Sequence, residues 1–268
     1  MPADVRPEVI DTVHRRIGRR ALFGSLGAAA LTVATAGAVR AEPVVASALP
    51  AGRLIDLTHT LSPTFPVWPG SEPFSMRPVA AYELGGFLVN KLSYWEHTGT
   101  HIDAPAHRIR GGATADILPL EDLIAPLVVV DISARAASDP EAVVTTEDIA
   151  QWEREHGRIP DRALVVMHSG WQNRLAERAA PGFGGDAAQM LVRERGIVGI
   201  GVDTLSLDRM NDREYPAHTA VLGAGRYGVE ALANLDAVPP AGATVVVGAP
   251  KHAGATGGPC RVFAIIPG

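Results

Sequence analysis

The stretch that decides how this chain is organised is residues 97–107, His-Thr-Gly-Thr-His-Ile-Asp-Ala-Pro-Ala-His. It contains three of the nine histidines of the 268-residue chain, together with one carboxylate. Its β-branched residues favour an extended strand, and its proline would break a helix. Because side chains alternate between the two faces of a strand, we predict that His97, His101 and Asp103 point the same way.

These residue types predict a hydrolytic metal site. Neutral imidazole and carboxylate groups are suitable ligands for Zn²⁺ and Mn²⁺. Gly99 falls on the same predicted face and leaves room for an ion or a substrate near the backbone. His107 follows the proline, where the chain turns, so we expect it to stand beside the metal instead of binding it.

The first 41 residues have the composition of an export signal. Paired arginines precede a charge-free run from Ala21 to Val39, which is too weakly hydrophobic for a membrane anchor. The run Gly18-Arg19-Arg20-Ala21-Leu22-Phe23 is similar to a twin-arginine signal. We therefore predict an exported protein with no stable membrane span after processing, consisting of the signal, residues 1–41, and a single hydrolase domain, residues 42–268.

Charge argues against a nucleic-acid partner. Without residues 1–41 the chain keeps 18 of its 24 basic and 26 of its 29 acidic residues, a net charge of −8. Phosphate binding needs a basic surface. The single cysteine, Cys260, cannot form an internal disulfide, so the core alone must stabilise the fold. We expect a small-molecule substrate.

Strand and helix patterns alternate in the middle of the chain. Residues 127–132 and 163–168 are apolar runs typical of strands buried on both faces, and residues 197–202 predict another strand. A capping box at Thr145 begins a helix that ends near Gly157. A second helix covers residues 186–195.

The remaining strands are predicted mostly in the flanks, at residues 54–58, 77–82, 87–95, 244–248 and 261–266. We therefore predict one α/β domain with a mixed β-sheet flanked by helices. The Pro-rich residues 61–70 form a long loop, and loops of this length are often functional.

The later chain offers further polar residues for the site. Asp203 ends a predicted strand, and the polar loop after it contains Asp208. His218 follows a restricted loop, and Glu230 begins a predicted helical turn. Spacing alone does not join these residues to the histidine cluster.

At this point the sequence resembles a known family. Residues 97–107 match the fingerprint of the metal-dependent cyclase family, whose members include bacterial kynurenine formamidases and isatin hydrolases. The likeness runs from about Leu54 to Ile266 and includes the Val67-Trp68-Pro69-Gly70 turn and the Pro216-Ala217-His218 corner. It implies the swivelling β/β/α fold of this family and assembly as a homodimer or homotetramer.

The resemblance also implies a role for each site residue. His97, His101 and Asp103 would hold a first metal ion. In the formamidase branch Asp103 would bridge to a second metal ion held by His218 and Glu230, which gives two Zn²⁺ per chain. The isatin hydrolase branch binds one Mn²⁺ and lacks the carboxylate at position 230, yet residues 122–171 are more similar to that branch.

The resemblance implies hydrolysis of an amide, lactam or lactone bond by metal-activated water, with His107 as general acid/base. For a kynurenine formamidase acting on N-formylkynurenine, Trp68 and Phe65 would wall an aryl pocket. An isatin hydrolase is the other enzymatic alternative. A non-catalytic metal-binding or small-molecule-binding protein is the alternative outside enzymes, although pure binding needs no acid/base residue such as His107.

Overall fold

The computed structural model describes residues 52–268. The strands in this range are β1 Gly52–Asp56, β2 Ser75–Ala80, β3 Val89–Ser93, β4 His101–Asp103, β5 Ile124–Asp131, β6 Val143–Val144, β7 Leu164–His168, β8 Gly182–Phe183, β9 Gly199–Val202, β10 Tyr227–Glu230, β11 Ala243–Gly248, β12 Gly257–Pro259 and β13 Arg261–Pro267. The α-helices are α1 Tyr82–Gly85, α2 Ser133–Ala136, α3 Thr146–His156, α4 Gly185–Arg195 and α5 Pro216–Gly223.

Nine of these strands form one mixed sheet, in the order β1-β13-β11-β5-β7-β9-β10-β4-β12. Its centre is parallel: β5, β7, β9 and β10 run the same way, and α3, α4 and α5 lie in the connections between them. The flanking strands pair antiparallel. The predicted α/β fold with a mixed sheet and flanking helices is confirmed.

Both faces of the central strands are buried, as their unbroken apolar sequence predicts. In β5, Val128 and Val130 belong to the core cluster that includes residues of α3, α4 and α5. The alternate side chains Leu127 and Val129 belong to a second cluster built largely from the strands themselves. The period-2 alternation of a strand therefore supplies both halves of the core.

The two long helices begin and end where the sequence signals lie. The Thr145 hydroxyl accepts the backbone N–H of Asp148 at 3.2 Å, and the Asp148 carboxylate accepts the backbone N–H of Thr145 at 2.8 Å. This predicted capping box starts α3, which stops at Gly157. Helix α4 stops at Gly196, whose φ of 61° is the left-handed conformation that glycine adopts without strain.

Strands β2 and β3 form a separate two-stranded sheet. The sequence predicts strands at 77–82 and 87–95, and both exist with shifted bounds, because the short helix α1 takes up residues 82–85. Apart from the half-buried Ala80, every residue of β2 and β3 is exposed. We call residues 75–95 the apolar hairpin.

No helix within residues 52–268 combines the length and the apolar character needed to cross a bilayer. The predicted export signal, residues 1–41, lies outside the described residues and stays a prediction.

Candidate metal centre

The register of strand β4 creates the space for the site. β4 lies between β10 and β12, and Asp103 is opposite Gly228 on one side and Gly257 on the other. A Cβ at Gly228 would lie 3.1 Å from Asp103 Oδ2, and a Cβ at Gly257 would lie 2.7 Å from His97 Cε1. The two glycines therefore leave room for the side chains that crowd around Asp103.

The same register pairs His101 with Glu230. His101 Nε2 lies 3.4 Å from Glu230 Oε2 and 3.3 Å from Asp103 Oδ1. The predicted helical turn at Glu230 is wrong, because pairing with β4 and β9 keeps residues 227–230 extended. Glu230 Oε1 also accepts the backbone N–H of Leu207 at 2.9 Å, which fixes the carboxylate.

His97 reaches the same place from a loop, so the prediction of a continuous strand from His97 to Asp103 is wrong. Gly99 has a φ of 69°, which breaks the extended backbone, and only His101–Asp103 pair as a strand. His97 Nδ1 nevertheless lies 2.7 Å from Asp103 Oδ1. Its Nε2 lies 3.0 Å from Thr256 Oγ1. Both ring nitrogens are therefore held in position.

His218 completes the group from helix α5. The sequence predicts a restricted loop directly before this residue, but the helix already begins at Pro216. Proline at the first helical position, Pro216, suits a helix start. His218 Nδ1 lies 2.6 Å from Asp208 Oδ2, which leaves Nε2 facing Glu230 Oε1 at 3.3 Å and Asp103 Oδ2 at 3.7 Å. A carboxylate behind a histidine in this way orients the ring and fixes its tautomer.

The nitrogen and carboxylate oxygen atoms of the cluster are suitable ligands for divalent cations. His101 Nε2 and Asp103 Oδ2 are buried and have no hydrogen-bond partner among residues 52–268, which is costly unless something binds them. His101 Nδ1 is 2.8 Å from the carbonyl oxygen of Gly99 and donates to it, which leaves Nε2 as the ring nitrogen that can bind a cation. Asp103 Oδ1 faces His97 and His101, whereas Oδ2 faces His218.

The electrostatics of the cluster favour added positive charge. Burial opposes protonation of His101, but Asp103 and Glu230 raise its pKa to about 9. Burial likewise opposes protonation of His218, but Asp208 and Glu230 raise its pKa to about 10. A divalent cation would replace the protons that these two rings otherwise carry.

The carboxylates respond to the same charges. Burial would raise the pKa of Asp103, but the adjacent His101 and His97 rings hold it well below its usual range. Burial, and then the negative charge of Asp103, raise the pKa of Glu230. Two buried carboxylates this close together need cations between them.

His107 stands beside the cluster. It ends the short 3₁₀ turn Pro105–His107, and its ring centroid lies 3.8 Å from that of His97 and 5.9 Å from that of His218. Desolvation, with neighbouring imidazoles adding to it, lowers the pKa of His107 to about 4. The ring is therefore a neutral base that is accessible from the pocket.

The cluster opens into a cavity of about 390 Å³. Trp68 and Trp95 line it together with His97, His107 and Arg108. Trp68 also packs on the buried cluster around Trp171, so it serves both as pocket wall and as core residue.

Phe65 does not line this cavity. It packs with Leu175, Leu205 and Ala231, and its ring centroid is 5.5 Å from that of His59. The structure thus brings six of the eight predicted site residues into one cluster and Trp68 onto its pocket, but not Phe65.

Sequence reasoning missed several residues that shape the site. Asp208 lies in a polar loop that the sequence marks, yet no spacing rule connects it to His218. Thr256 is 159 residues from His97, and no sequence signal announces their contact. Thr256 Oγ1 in turn donates to Glu96 Oε2, which holds the loop around the cluster.

The chain is similar in sequence to known proteins. The putative cyclase family matches residues 55–209. An isatin hydrolase of Roseibium aggregatum is 32% identical over 80% of this chain and 92% of its own length. A kynurenine formamidase of Salinibacter ruber is 34% identical over 70% of this chain and 85% of its own length.

The fold comparison gives the same result. The structure of isatin hydrolase A from Labrenzia aggregata, bound to benzyl benzoate, aligns with a TM-score of 0.77 and 38% identity, over 81% of this chain and 94% of that one. Two further structural neighbours are described as a potential and as a predicted metal-dependent hydrolase. The chain belongs to the cyclase family. It is a metal-dependent hydrolase acting on non-peptide C–N bonds.

The glycine opposite Asp103 gives a test of the site's geometry. In Gly228→Ala the new methyl group would lie 2.6 Å from a Leu207 methyl and 3.1 Å from Asp103 Oδ2, so the carboxylate must move. We expect bound metal to fall at least about tenfold, as when a ligand loses its support. Metal analysis after dialysis measures this.

Gly223→Ala is the matched control, because its Cβ would meet only Ile109 at 3.8 Å. Unchanged metal content in a folded Gly228→Ala protein, judged by circular dichroism, would show that the space beside Asp103 is not needed.

Proposed function

We propose that His97, His101 and Asp103 hold one divalent cation, and that Asp103, His218 and Glu230 hold a second. The observation that carries this is the position of Asp103, whose Oδ1 faces His97 and His101 and whose Oδ2 faces His218. The nitrogen and carboxylate donors suit two Zn²⁺ per chain, with Mn²⁺ as the alternative.

The protein's own residues supply the rest of the chemistry. When bound by these residues, a divalent cation would supply a water molecule with a pKa of ~7 and Lewis acidity for a carbonyl group. His107 takes the proton from the attacking water and returns it to the leaving nitrogen, a role that a neutral imidazole at the pocket wall can fill. Asp208 keeps His218 in the tautomer whose Nε2 faces the site.

The substrate we propose is a small aryl lactam of the isatin class. The indole side chains of Trp68 and Trp95 form flat apolar walls in the cavity above the cluster. The likeness to isatin hydrolases covers 80% of this chain, against 70% for the kynurenine formamidase, which supports the lactam.

N-formylkynurenine is the second candidate. Glu230 favours it, because a carboxylate beside His218 completes the second cation site that the formamidase branch is expected to use. Both substrates present an aryl group next to a C–N bond, so one pocket can accept either.

A substrate panel tests the function. Metal-loaded protein should hydrolyse isatin faster than N-formylkynurenine, simple formanilides or lactones, as followed by absorbance. Faster turnover of N-formylkynurenine would transfer the assignment to the second candidate. Ligand binding without turnover of any panel member would favour a non-catalytic binding protein.

His107 can be tested apart from the metal ligands. His107→Ala should lose roughly 10²–10⁴-fold in kcat, the usual contribution of a positioned imidazole, and keep its metal. His101→Ala, the matched histidine variant, should instead lose metal, because Nε2 of His101 is a proposed metal ligand. Normal kcat in His107→Ala would refute the proton-transfer role, and full metal in His101→Ala would refute the ligand role.

We also propose that the protein is a homodimer or homotetramer and that the apolar hairpin lies in the subunit interface. An isolated two-stranded hairpin is marginally stable in water, so this one needs a covering surface. Leu84 is 90% exposed and Phe87 is 73% exposed. Large exposed apolar patches of this kind mark interaction sites.

Sedimentation velocity tests the assembly. The wild type should sediment as a dimer or larger, and the double variant Leu84→Ser/Phe87→Ser should dissociate towards a monomer. Ile117→Ser removes a similarly exposed side chain outside the hairpin and should leave the assembly unchanged. A monomeric wild type would contradict the proposal, as would a double variant that keeps its assembly.

A further inference from the structure

One cationic side chain in the active-site cavity has no role in holding metal or moving protons. Arg108 directly follows His107 and lines the same cavity as Trp68 and Trp95. Its positive charge is permanent, because a guanidinium group does not deprotonate in proteins.

The guanidinium group is fixed but not neutralised. Arg108 Nε donates to Thr219 Oγ1 at 3.2 Å, and Nη2 donates to the carbonyl oxygen of Glu214 at 3.1 Å. The guanidinium carbon Cζ of Arg108 lies 5.4 Å from the ring centroid of Tyr215, a cation–π distance. Within residues 52–268 these partners are all neutral groups, and Arg108 forms no ion pair there.

This arrangement prepares the side chain to bind an anion. Two of its five N–H donors are in use, so three remain available. A guanidinium group held in one orientation by neighbouring groups loses little entropy when it binds a carboxylate. Arg108 and the aromatic walls Trp68 and Trp95 line a single pocket.

We propose that Arg108 is a substrate-binding residue that recognises a carboxylate carried by the aryl part of the substrate. This inference rests on the proposed aryl amide or lactam hydrolysis and adds that, of two substrates with the same scissile bond, the one with a carboxylate on its aryl ring is preferred. The carboxylate is not the group that reacts, since the scissile carbonyl belongs beside the His97–Asp103 cluster. A contact that is equally strong in the ground state and the transition state lowers KM and leaves kcat nearly unchanged.

A matched pair of substrates tests this proposal. Formanilide and 2-formamidobenzoate share the same scissile bond and ring, and differ only in the carboxylate. For the metal-loaded wild type we expect a kcat/KM at least about tenfold higher for 2-formamidobenzoate, the size of one charged hydrogen-bonded contact. Arg108→Met should abolish this preference through KM, and Arg108→Lys should restore part of it.

Arg110→Met is the control, because Arg110 is exposed two residues further along and does not line the cavity. It should keep the preference of the wild type. An equal loss of kcat/KM for both substrates in Arg108→Met would mean that Arg108 only supports the His107 turn, and would overturn the proposal. Retention of the wild-type preference in Arg108→Met would overturn it too.

A binding measurement separates this proposal from the proposed reaction. Benzoate and benzamide can be titrated against the fluorescence of Trp68 and Trp95 without any turnover. Stronger binding of benzoate that disappears in Arg108→Met would support the carboxylate subsite even if neither formanilide is hydrolysed, a result that would count against amide hydrolysis alone. Equal benzoate affinity in the wild type and Arg108→Met would overturn the subsite.

Discussion

The site depends on the pairing of a three-residue strand, β4, with its two neighbours. This pairing places Asp103 opposite two glycines and His101 opposite Glu230. A shift of the register by one residue would turn both side chains to the other face of the sheet, where Ile102 now packs in the core. The buried Ile102 therefore stabilises the register, and the register positions the proposed metal ligands.

The electrostatic cost of this arrangement explains why further residues surround it. Asp103, Asp208 and Glu230 are all buried, and buried carboxylates are expensive unless they are paired. The Asp208 carboxylate forms a hydrogen bond with the His218 ring. At the start of α5 it also accepts the backbone N–H groups of Ala217, at 2.7 Å, and of His218, at 3.1 Å. Asp103 and Glu230 share the remaining imidazoles, which is the charge pattern of a site built for cations.

The sequence was sufficient to predict the central architecture. The apolar runs at β5, β7 and β9, and the capping box of α3, are local signals, and local signals survive in the fold. The sequence failed where tertiary pairing overrides local preference. Residues 228–232 have no strong strand signal, and Glu230 is extended only because β4 and β9 pair on either side of it.

Side chains brought together from distant positions were also beyond sequence reasoning. The resemblance to the family predicted which residues would lie around Asp103. It did not predict that the positive φ of Gly99 would place His97 in a loop instead of a strand. The support of His218 by Asp208 and of His97 by Thr256 depends on three-dimensional contacts alone. The prediction that Phe65 walls the pocket was wrong for a different reason. Phe65 is close in sequence to a pocket residue, but its side chain packs in the core behind the pocket.

We propose that Asp103 joins two cation sites. Anomalous diffraction from crystals of the full chain grown with Zn²⁺ tests it most directly. We expect two peaks in contact with the Asp103 carboxylate, one beside His97 and His101 and the other beside His218 and Glu230. A single peak beside His97 and His101, or no peak at Asp103, would contradict the claim.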